Sequence, residues 1–142
     1  RLRAAAMSPF SPFVAALHVF IGGGFGAVLR WQLGRAMTGW LGAPVVTAFP
    51  FATLAANAAG SLAMGLLAGW LARHGSGEGE QLRLLLGVGL LGGFTTFSAF
   101  SLEMVLLIER GQYLFALLYA FLSIALGITG LMVGLGVMRM AG

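Results

Sequence analysis

The chain has 142 residues, of which 59% are hydrophobic and only 8% are charged, with a formal net charge of +4. Soluble domains carry about 25% charged residues, so this composition excludes an ordinary water-exposed surface and indicates a single domain solvated mainly by lipid. The basic residues are all arginines scattered singly, which argues against the clustered basic surface of a nucleic-acid-binding protein. The absence of cysteine removes disulfides, thiolate metal sites and cysteine nucleophiles.

Four apolar stretches are long enough to cross a membrane, which takes about 20 residues of helix. In chain order they run from about Phe13 to Met37, from 50 to 72, from Leu82 to Ile108 and from Tyr113 to Met138. The first stretch is too long, and too closely followed by others, for a cleaved signal peptide, so we expect it to be retained. The polar segment 73–81 predicts a short exposed loop. We therefore predict an all-α integral membrane domain of four transmembrane helices.

The second predicted helix carries two polar side chains at membrane depth. Asn57 is the only asparagine of the chain, and Thr53 lies one turn before it. Polar residues at such depth tend to face protein or water and not lipid. Two interpretations of Asn57 remain open at this point: a hydrogen bond between helices, or an amide donor to an anion.

Small polar residues interrupt the third predicted helix. Gly92 and Gly93 are followed by Thr95, Thr96 and Ser98 inside an otherwise apolar run. A glycine lowers helix stability by about 1 kcal/mol relative to alanine, and freed backbone groups in a membrane need partners inside protein or beside a cavity. We expect two half-helices that meet between residues 92 and 98, where carbonyls and half-helix ends can form a binding site.

Three further residues of this helix follow the interruption. Phe97 and Phe100 are three residues apart and therefore share a helical face. They are either packing residues or rings whose positive edges face a small anion. Glu103 lies one turn later and is either a hydrogen-bonded or interfacial carboxyl, or a proton-coupling group.

The remaining candidates lie in the first and fourth helices. Arg30 is either a membrane-end anchor or a charge in a vestibule, while Tyr119 and Ser123 share one face of the fourth helix and offer hydroxyl donors. His18 and His74 are isolated and the chain has no aspartate, so no catalytic triad or carboxylate metal cluster can be assembled and an enzyme is not expected.

Three sequence motifs together resemble one known family. The segment 22–30 reads GGGFGAVLR, 53–61 reads TLAANAAGS, and 92–103 reads GGFTTFSAFSLE. They are similar to the G-G-x-x-G-A-x-x-R, T-L-x-x-N-x-x-G-S and G-G-x-T-T-F-S-x-F-S-x-E motifs of the bacterial fluoride channels, the Fluc or CrcB-like family. The resemblance extends over about residues 18 to 138, and the third motif is the most specific.

This resemblance implies an antiparallel, dual-topology homodimer in the cytoplasmic (inner) membrane that passively exports fluoride and so relieves its toxicity. Each dimer would contain two separate fluoride pathways and a central structural Na⁺. The pathway residues implied by the match are Asn57, Phe97 and Phe100, together with Thr53, Tyr119 and Ser123. The backbone carbonyls of Gly92 and Thr95 would hold the Na⁺, and Arg30, Thr96, Ser98 and Glu103 are further candidates.

Arginine positions are consistent with a chain that inserts in both orientations. With four helices, one side of the membrane holds five arginines (1, 3, 73, 83 and 139) and the other holds three (30, 35 and 110). So weak a bias leaves orientation undecided.

The alternative function is a small proton-coupled multidrug exporter, which also has four helices. Such a protein needs an acid in the first helix, and this chain has none there.

Overall fold

The computed structural model describes residues 10–74 and 77–142. In chain order the elements are α1 (Pro12–Leu41), α2 (Ala43–Ala48), α3 (Phe51–Arg73), α4 (Gly77–Leu82), a π-helical segment (Arg83–Leu91), α5 (Gly92–Phe94), α6 (Phe97–Glu109) and α7 (Tyr113–Met140). Four helices of this part of the chain are long and apolar enough to cross a membrane: α1, α3, the third span Gly79–Glu109, and α7. Arg1 and Arg3, and residues 75 and 76 of the expected loop, lie outside the described residues.

Local chemistry explains where the first helix begins and ends. The Ser11 hydroxyl accepts a hydrogen bond from the Val14 N–H at 3.3 Å, and Pro12 occupies the first turn, where its missing N–H costs nothing. Helix α1 ends at Gly42, whose φ of 91° is readily adopted only by glycine. The short helix α2 follows at once, so the first connection is partly helical and holds Thr47 beside the start of α7.

The four spans pack in two close pairs through glycines. Helix α3 packs mainly against α7, and α1 packs mainly against the π-helical segment and α5. In the first pair a Cβ atom on Gly134 would lie only 2.5 Å from the Leu62 carbonyl oxygen. In the second pair a Cβ on Gly26 would overlap the Leu90 carbonyl. Backbones can approach this closely in lipid only because the contact residues are small.

The third span contains a stretch of π-helix that the sequence did not predict. Its wider turns run from Arg83 to Leu91, and the N–H of Gly92 donates to the carbonyls of Gly87 and Gly89 where the π-helix gives way to α5. π-helical turns are rare, and an apolar run has the same composition whether its turns are wide or narrow. Hydrophobicity alone therefore could not reveal this feature.

The interruption of the third span is narrower than the expected segment 92–98. Gly92 and Gly93 remain helical, and only Thr95 and Thr96 have extended backbones, with ψ values of 155° and 123°. The glycines serve packing, since a Cβ on Gly93 would overlap the carbonyl of Gly23 on α1. The chain therefore leaves the helix at the two threonines and resumes it at Phe97.

Little of the apolar surface of the described residues is buried within the chain itself. A small core unites Phe49, Leu107, Ala116 and Tyr119 near one end of the bundle. Large side chains along the outer faces of α1 and α7 are exposed, including Phe20 at 79% and Phe121 at 68%. For a membrane protein such faces are covered by lipid or by another subunit.

Candidate functional site

A cavity of ≈ 380 Å³ lies where α3, the interruption of the third span, α6 and α7 meet. We call it the Asn57 cavity. Its walls combine a few polar groups with apolar side chains, as in many ligand sites. The lining residues are Asn57, Gly60, Ser61, Met64, Thr95, Thr96, Phe97, Phe100, Ser123, Ile124 and Leu131.

Asn57 pairs with both backbone groups of Thr96. Its Oδ1 accepts the Thr96 N–H at 2.8 Å, and its Nδ2 donates to the Thr96 carbonyl at 3.1 Å. Asn57 therefore forms hydrogen bonds between two spans, which is one of the two interpretations that the sequence left open. An amide NH₂ has two protons, and only one is used by Thr96. The other stays available for a ligand in the cavity.

The two phenylalanines that follow the interruption have different surroundings. Their ring centroids are 5.7 Å apart with the rings tilted by 33°. Phe97 is 78% exposed on the protomer, whereas Phe100 is half-buried and its ring centroid lies 5.0 Å from that of Tyr119. The shared face expected from their spacing is present, and both rings border the Asn57 cavity.

Glu103 joins three helices through its carboxylate. Thr53 of α3 donates its hydroxyl to Oε1 at 2.7 Å, and Tyr119 of α7 donates its hydroxyl to Oε2 at 2.6 Å. Tyr119 is fully buried, so its hydroxyl needs such a partner. Of the interpretations of Glu103 given above, this geometry agrees with a hydrogen-bonded carboxyl, and Thr53 is one of its two donors.

Ser123 has a buried hydroxyl without a partner. Its Oγ is enclosed and makes no hydrogen bond within the described residues, although it lines the Asn57 cavity one turn beyond Tyr119. Most buried polar side-chain atoms in proteins are paired, so an unpaired hydroxyl that faces a cavity is available to donate to a ligand there. Ser98, by contrast, lies exposed on the protomer, with its Oγ 3.3 Å from the Thr96 hydroxyl.

A second, larger cavity of ≈ 860 Å³ opens near the ends of α1, α3 and α6. We call it the arginine cavity, because Arg30, Arg35 and Arg110 line it together with Thr53 and Glu103. Arg30 donates through Nε to the Gly93 carbonyl at 3.3 Å, and Arg110 donates through Nη1 to the Thr47 carbonyl at 2.9 Å. Arg35 instead lies over the Trp31 ring at 5.0 Å. Three cations and one carboxylate give this cavity a net positive charge.

Neighbouring residues on α6 and α7 connect the two cavities. Glu103 lines the arginine cavity and is bonded to Tyr119, while Phe100 lines the Asn57 cavity and its ring contacts the same Tyr119. On α3, Thr53 lines the first cavity and Asn57 the second. A line of polar groups therefore runs from an open cationic end toward the middle of the bundle.

The extended residues leave backbone carbonyls without partners. Within the described residues, the carbonyl oxygens of Gly92 and Thr95 accept no hydrogen bond. Free carbonyl oxygens suit hard cations such as Na⁺, and no His or carboxylate cluster that could hold a metal exists among the described residues. The donor set therefore fits a monovalent cation held by backbone dipoles.

Sequence reasoning missed several residues of these cavities. The sequence places Arg35 and Arg110 on the same membrane side as Arg30, but their spacing does not indicate that the three side chains share one cavity. Ser61 lies one turn after Asn57, and its i, i+4 spacing was the available signal that it lines the same cavity. Met64 had no distinguishing signal.

The chain is similar to one family model and to several curated proteins. The family model described as "CrcB-like protein, Camphor Resistance (CrcB)" matches residues 17–135. A protein of Erythrobacter litoralis is 58% identical over 134 residues, covering 94% of this chain and 98% of the relative. One of Novosphingobium aromaticivorans is 59% identical over 125 residues, covering 88% and 96%. One of Phenylobacterium zucineum is 51% identical over 121 residues, covering 85% and 92%. All three carry the name "Fluoride-specific ion channel FluC".

Proposed function

Because this chain belongs to the CrcB-like family, we propose that it is a fluoride-selective channel through which fluoride leaves the cell passively across the cytoplasmic membrane. The observation that carries the proposal is the line of donors and ring edges from the arginine cavity to the Asn57 cavity. Its curated relatives are named for fluoride, and at 51–59% identity they align over nearly their whole length.

Passive export follows from the acid–base chemistry of fluoride. Hydrogen fluoride is a neutral weak acid that crosses lipid and ionises in a less acidic cytoplasm. The anion is then trapped, and an inside-negative membrane potential favours its exit through any selective pathway. A channel therefore lowers the internal fluoride concentration without an energy source of its own.

The proposed pathway uses neutral donors at its narrow part. The Ser123 hydroxyl and the second amide proton of Asn57 are free to donate to an anion, and the edges of Phe97 and Phe100 add partial positive charge. Chloride is larger than fluoride and would need these groups to move apart. Selectivity therefore comes from close spacing between packed rings and donors.

Glu103 occupies the hydroxyls of Thr53 and Tyr119, which are the donors between the two cavities. Two hydroxyls that donate to one carboxyl group can also donate to an anion at this point of the proposed pathway. In the proposed pathway an ion that reaches Thr53 and Tyr119 competes with Glu103 for them.

We further propose that two identical, antiparallel subunits form the working channel and enclose two pathways. The support is that polar groups of the interruption are exposed on the protomer at mid-span, with Gly92 and Ser98 both uncovered. Polar backbone and hydroxyl groups facing lipid are unfavourable, so another protein surface should cover them. Phe97, exposed beside them, would then pack at the subunit interface.

A structural Na⁺ at the dimer centre fits the same exposed segment. The carbonyls of Gly92 and Thr95 from both subunits would hold it, and the ion would supply fixed positive charge that also favours nearby anions. Backbone carbonyl oxygens suit a hard cation such as Na⁺ better than zinc, whose usual protein ligands are cysteine, histidine and carboxylate groups.

The alternative of a proton-coupled drug exporter has less support. The carboxyl that would have to carry protons, Glu103, is bonded to two hydroxyls between helices, and the cavity that it lines also contains three arginines, so that cavity favours anions. The relatives' names also point to ion conduction and not to drug export.

Fluoride efflux from liposomes containing the purified protein tests the proposed function. We expect fast fluoride release, followed with a fluoride electrode, and no comparable release of chloride under the same gradient. Protein-free liposomes provide the baseline. Equal release of both ions, or none from protein shown to be folded, would contradict a fluoride-selective channel.

Arg35→Gln is expected to slow fluoride flux at low salt and to have little effect at high salt. Arg35 is exposed, lines the arginine cavity and forms no ion pair with a carboxylate of the described residues, so its charge can attract anions. We expect a decrease of roughly two- to five-fold at about 0.01 M salt, where the screening length is ~30 Å, and little change at about 1 M, where it is ~3 Å. Efflux assays with an impermeant background salt measure this difference.

Arg139→Gln removes a charge from the end of α7, outside either cavity, and is the matched control for Arg35→Gln. It should leave flux unchanged at both salt concentrations. If both variants slow flux equally, the effect comes from overall charge and not from the arginine cavity.

A further inference from the structure

The interruption of the third span leaves the carbonyls of Gly92 and Thr95 without their helical partners. In a continuous α-helix the N–H of each residue donates to the carbonyl four residues earlier. Thr96 would then pair with Gly92, and Ala99 with Thr95. Neither bond forms here, because both N–H groups donate elsewhere.

Each diverted N–H group has a specific side-chain acceptor. The Thr96 N–H donates to Asn57 Oδ1 at 2.8 Å, and the Ala99 N–H donates to the Thr96 hydroxyl at 3.2 Å. These two diversions free the carbonyls of Gly92 and Thr95. The Gly93 carbonyl between them is not free, since Arg30 Nε donates to it at 3.3 Å.

We propose that Asn57 is a positioning residue that holds the third span open by pairing with both backbone groups of Thr96. This inference deepens the proposed function, because it assigns to a pathway residue a second role toward the carbonyls of Gly92 and Thr95. The Asn57 amide pairs with Thr96 as a neighbouring β-strand would. Its oxygen accepts from the Thr96 N–H, and its NH₂ group donates to the Thr96 C=O.

The position of α6 depends on the same pairing. Thr96, with φ of −153° and ψ of 123°, is the residue before α6, and its hydroxyl caps the first turn of that helix. Because Asn57 fixes Thr96, it also fixes where Phe97 begins the helix and how the Phe97 ring is presented. Asn57 therefore acts on the rings through the backbone, in addition to any contact with an ion.

The chain offers a selective spectroscopic probe of this pairing. Thr95–Thr96 is the only Thr-Thr pair in the sequence, so threonine labelled with ¹³C at the carbonyl and with ¹⁵N at the amide gives one carbonyl–amide correlation. That signal reports the Thr95 carbonyl and the Thr96 N–H in the full-length protein in lipid nanodiscs. In the native chain we expect chemical shifts of extended backbone and slow exchange of the Thr96 N–H with solvent.

Asn57→Ala should change that signal. The Thr96 N–H loses its acceptor and either exchanges at least about tenfold faster or returns to the Gly92 carbonyl with helical chemical shifts. Asn57→Asp keeps an acceptor oxygen in either protonation state and should retain most of the protection. Ser61→Ala alters the same cavity without touching Thr96 and should leave the signal unchanged.

An unchanged Thr96 signal in Asn57→Ala would overturn the proposal. So would equal changes in Asn57→Ala and Ser61→Ala, which would show a general effect of cavity polarity. If Asn57→Ala does not fold, loss of Thr96 protection in folded Asn57→Asp is the overturning result. None of these measurements depends on fluoride. A negative result for the role of Asn57 can therefore be distinguished from a negative result for fluoride conduction.

Discussion

Replacing Phe97 and Phe100 together with isoleucine is expected to reduce fluoride efflux by at least about 100-fold, equivalent to ~2.7 kcal/mol of lost ion stabilisation. Isoleucine keeps an apolar side chain but has no positive ring edge to face an anion. The two rings border the Asn57 cavity, where the remaining free donors are few. Fluoride-electrode measurements on liposomes, with subunit assembly checked by size-exclusion chromatography, give the result directly.

The single variants separate an ionic role from a packing role. The Phe100 ring packs at a tilt against the buried Tyr119, so Phe100→Ile should also lower stability, whereas the exposed Phe97 has no contact with a buried ring among the described residues. Phe121→Ile is the control, since that ring lies exposed on α7 away from both cavities. Unchanged efflux in the folded double variant would remove the rings from the pathway.

Gly134→Ala is expected to destabilise the fold by about 1–3 kcal/mol. The new Cβ would lie 2.5 Å from the Leu62 carbonyl oxygen and 2.6 Å from the Leu66 N, both backbone atoms of α3 that no side-chain rotation can move. The helices α3 and α7 would have to separate along their closest contact. We expect a decrease in melting temperature of roughly 3 to 10 °C, measured by thermal unfolding of the purified protein.

Gly136→Ala provides the matched control two residues later on α7. Apart from the neighbouring backbone of α7 itself, no atom of the described residues lies within 4 Å of the Cβ it would add, and alanine favours helix by up to about 1 kcal/mol over glycine. We expect this variant to be as stable as the native chain or slightly more stable. Equal losses in both variants would mean that the approach of α3 and α7 does not limit stability at Gly134.

The spans and the polar positions could be predicted from the sequence because hydrophobicity and residue type are local properties. A run of about 20 apolar residues in a helix matches the thickness of the bilayer core, whatever the helices contact. Thr53, Asn57, Glu103, Tyr119 and Ser123 could be identified for the same reason, since polar groups are rare within such runs. The three sequence motifs identify the family without any information about geometry.

The choice of hydrogen-bond partner required the tertiary structure. Asn57 had a structural and an anion-binding interpretation, and only the placement of α3 beside the interruption brought its amide to Thr96. The pairing of Thr53 and Tyr119 with one carboxylate likewise depends on how three helices are rotated about their axes. Sequence spacing fixes which residues share a face of one helix but not which faces of different helices meet.

The sequence by itself thus determined a four-span membrane protein, its family and most of the residues at its candidate site. Only the tertiary structure decided that the third span opens at Thr95 and Thr96 while Gly92 and Gly93 stay helical. It also decided that three arginines share one cavity and that the Ser123 hydroxyl stays unpaired. The physical reason is that composition sets what each residue can do in lipid, whereas close backbone packing and competition for hydrogen-bond partners set which groups stay free.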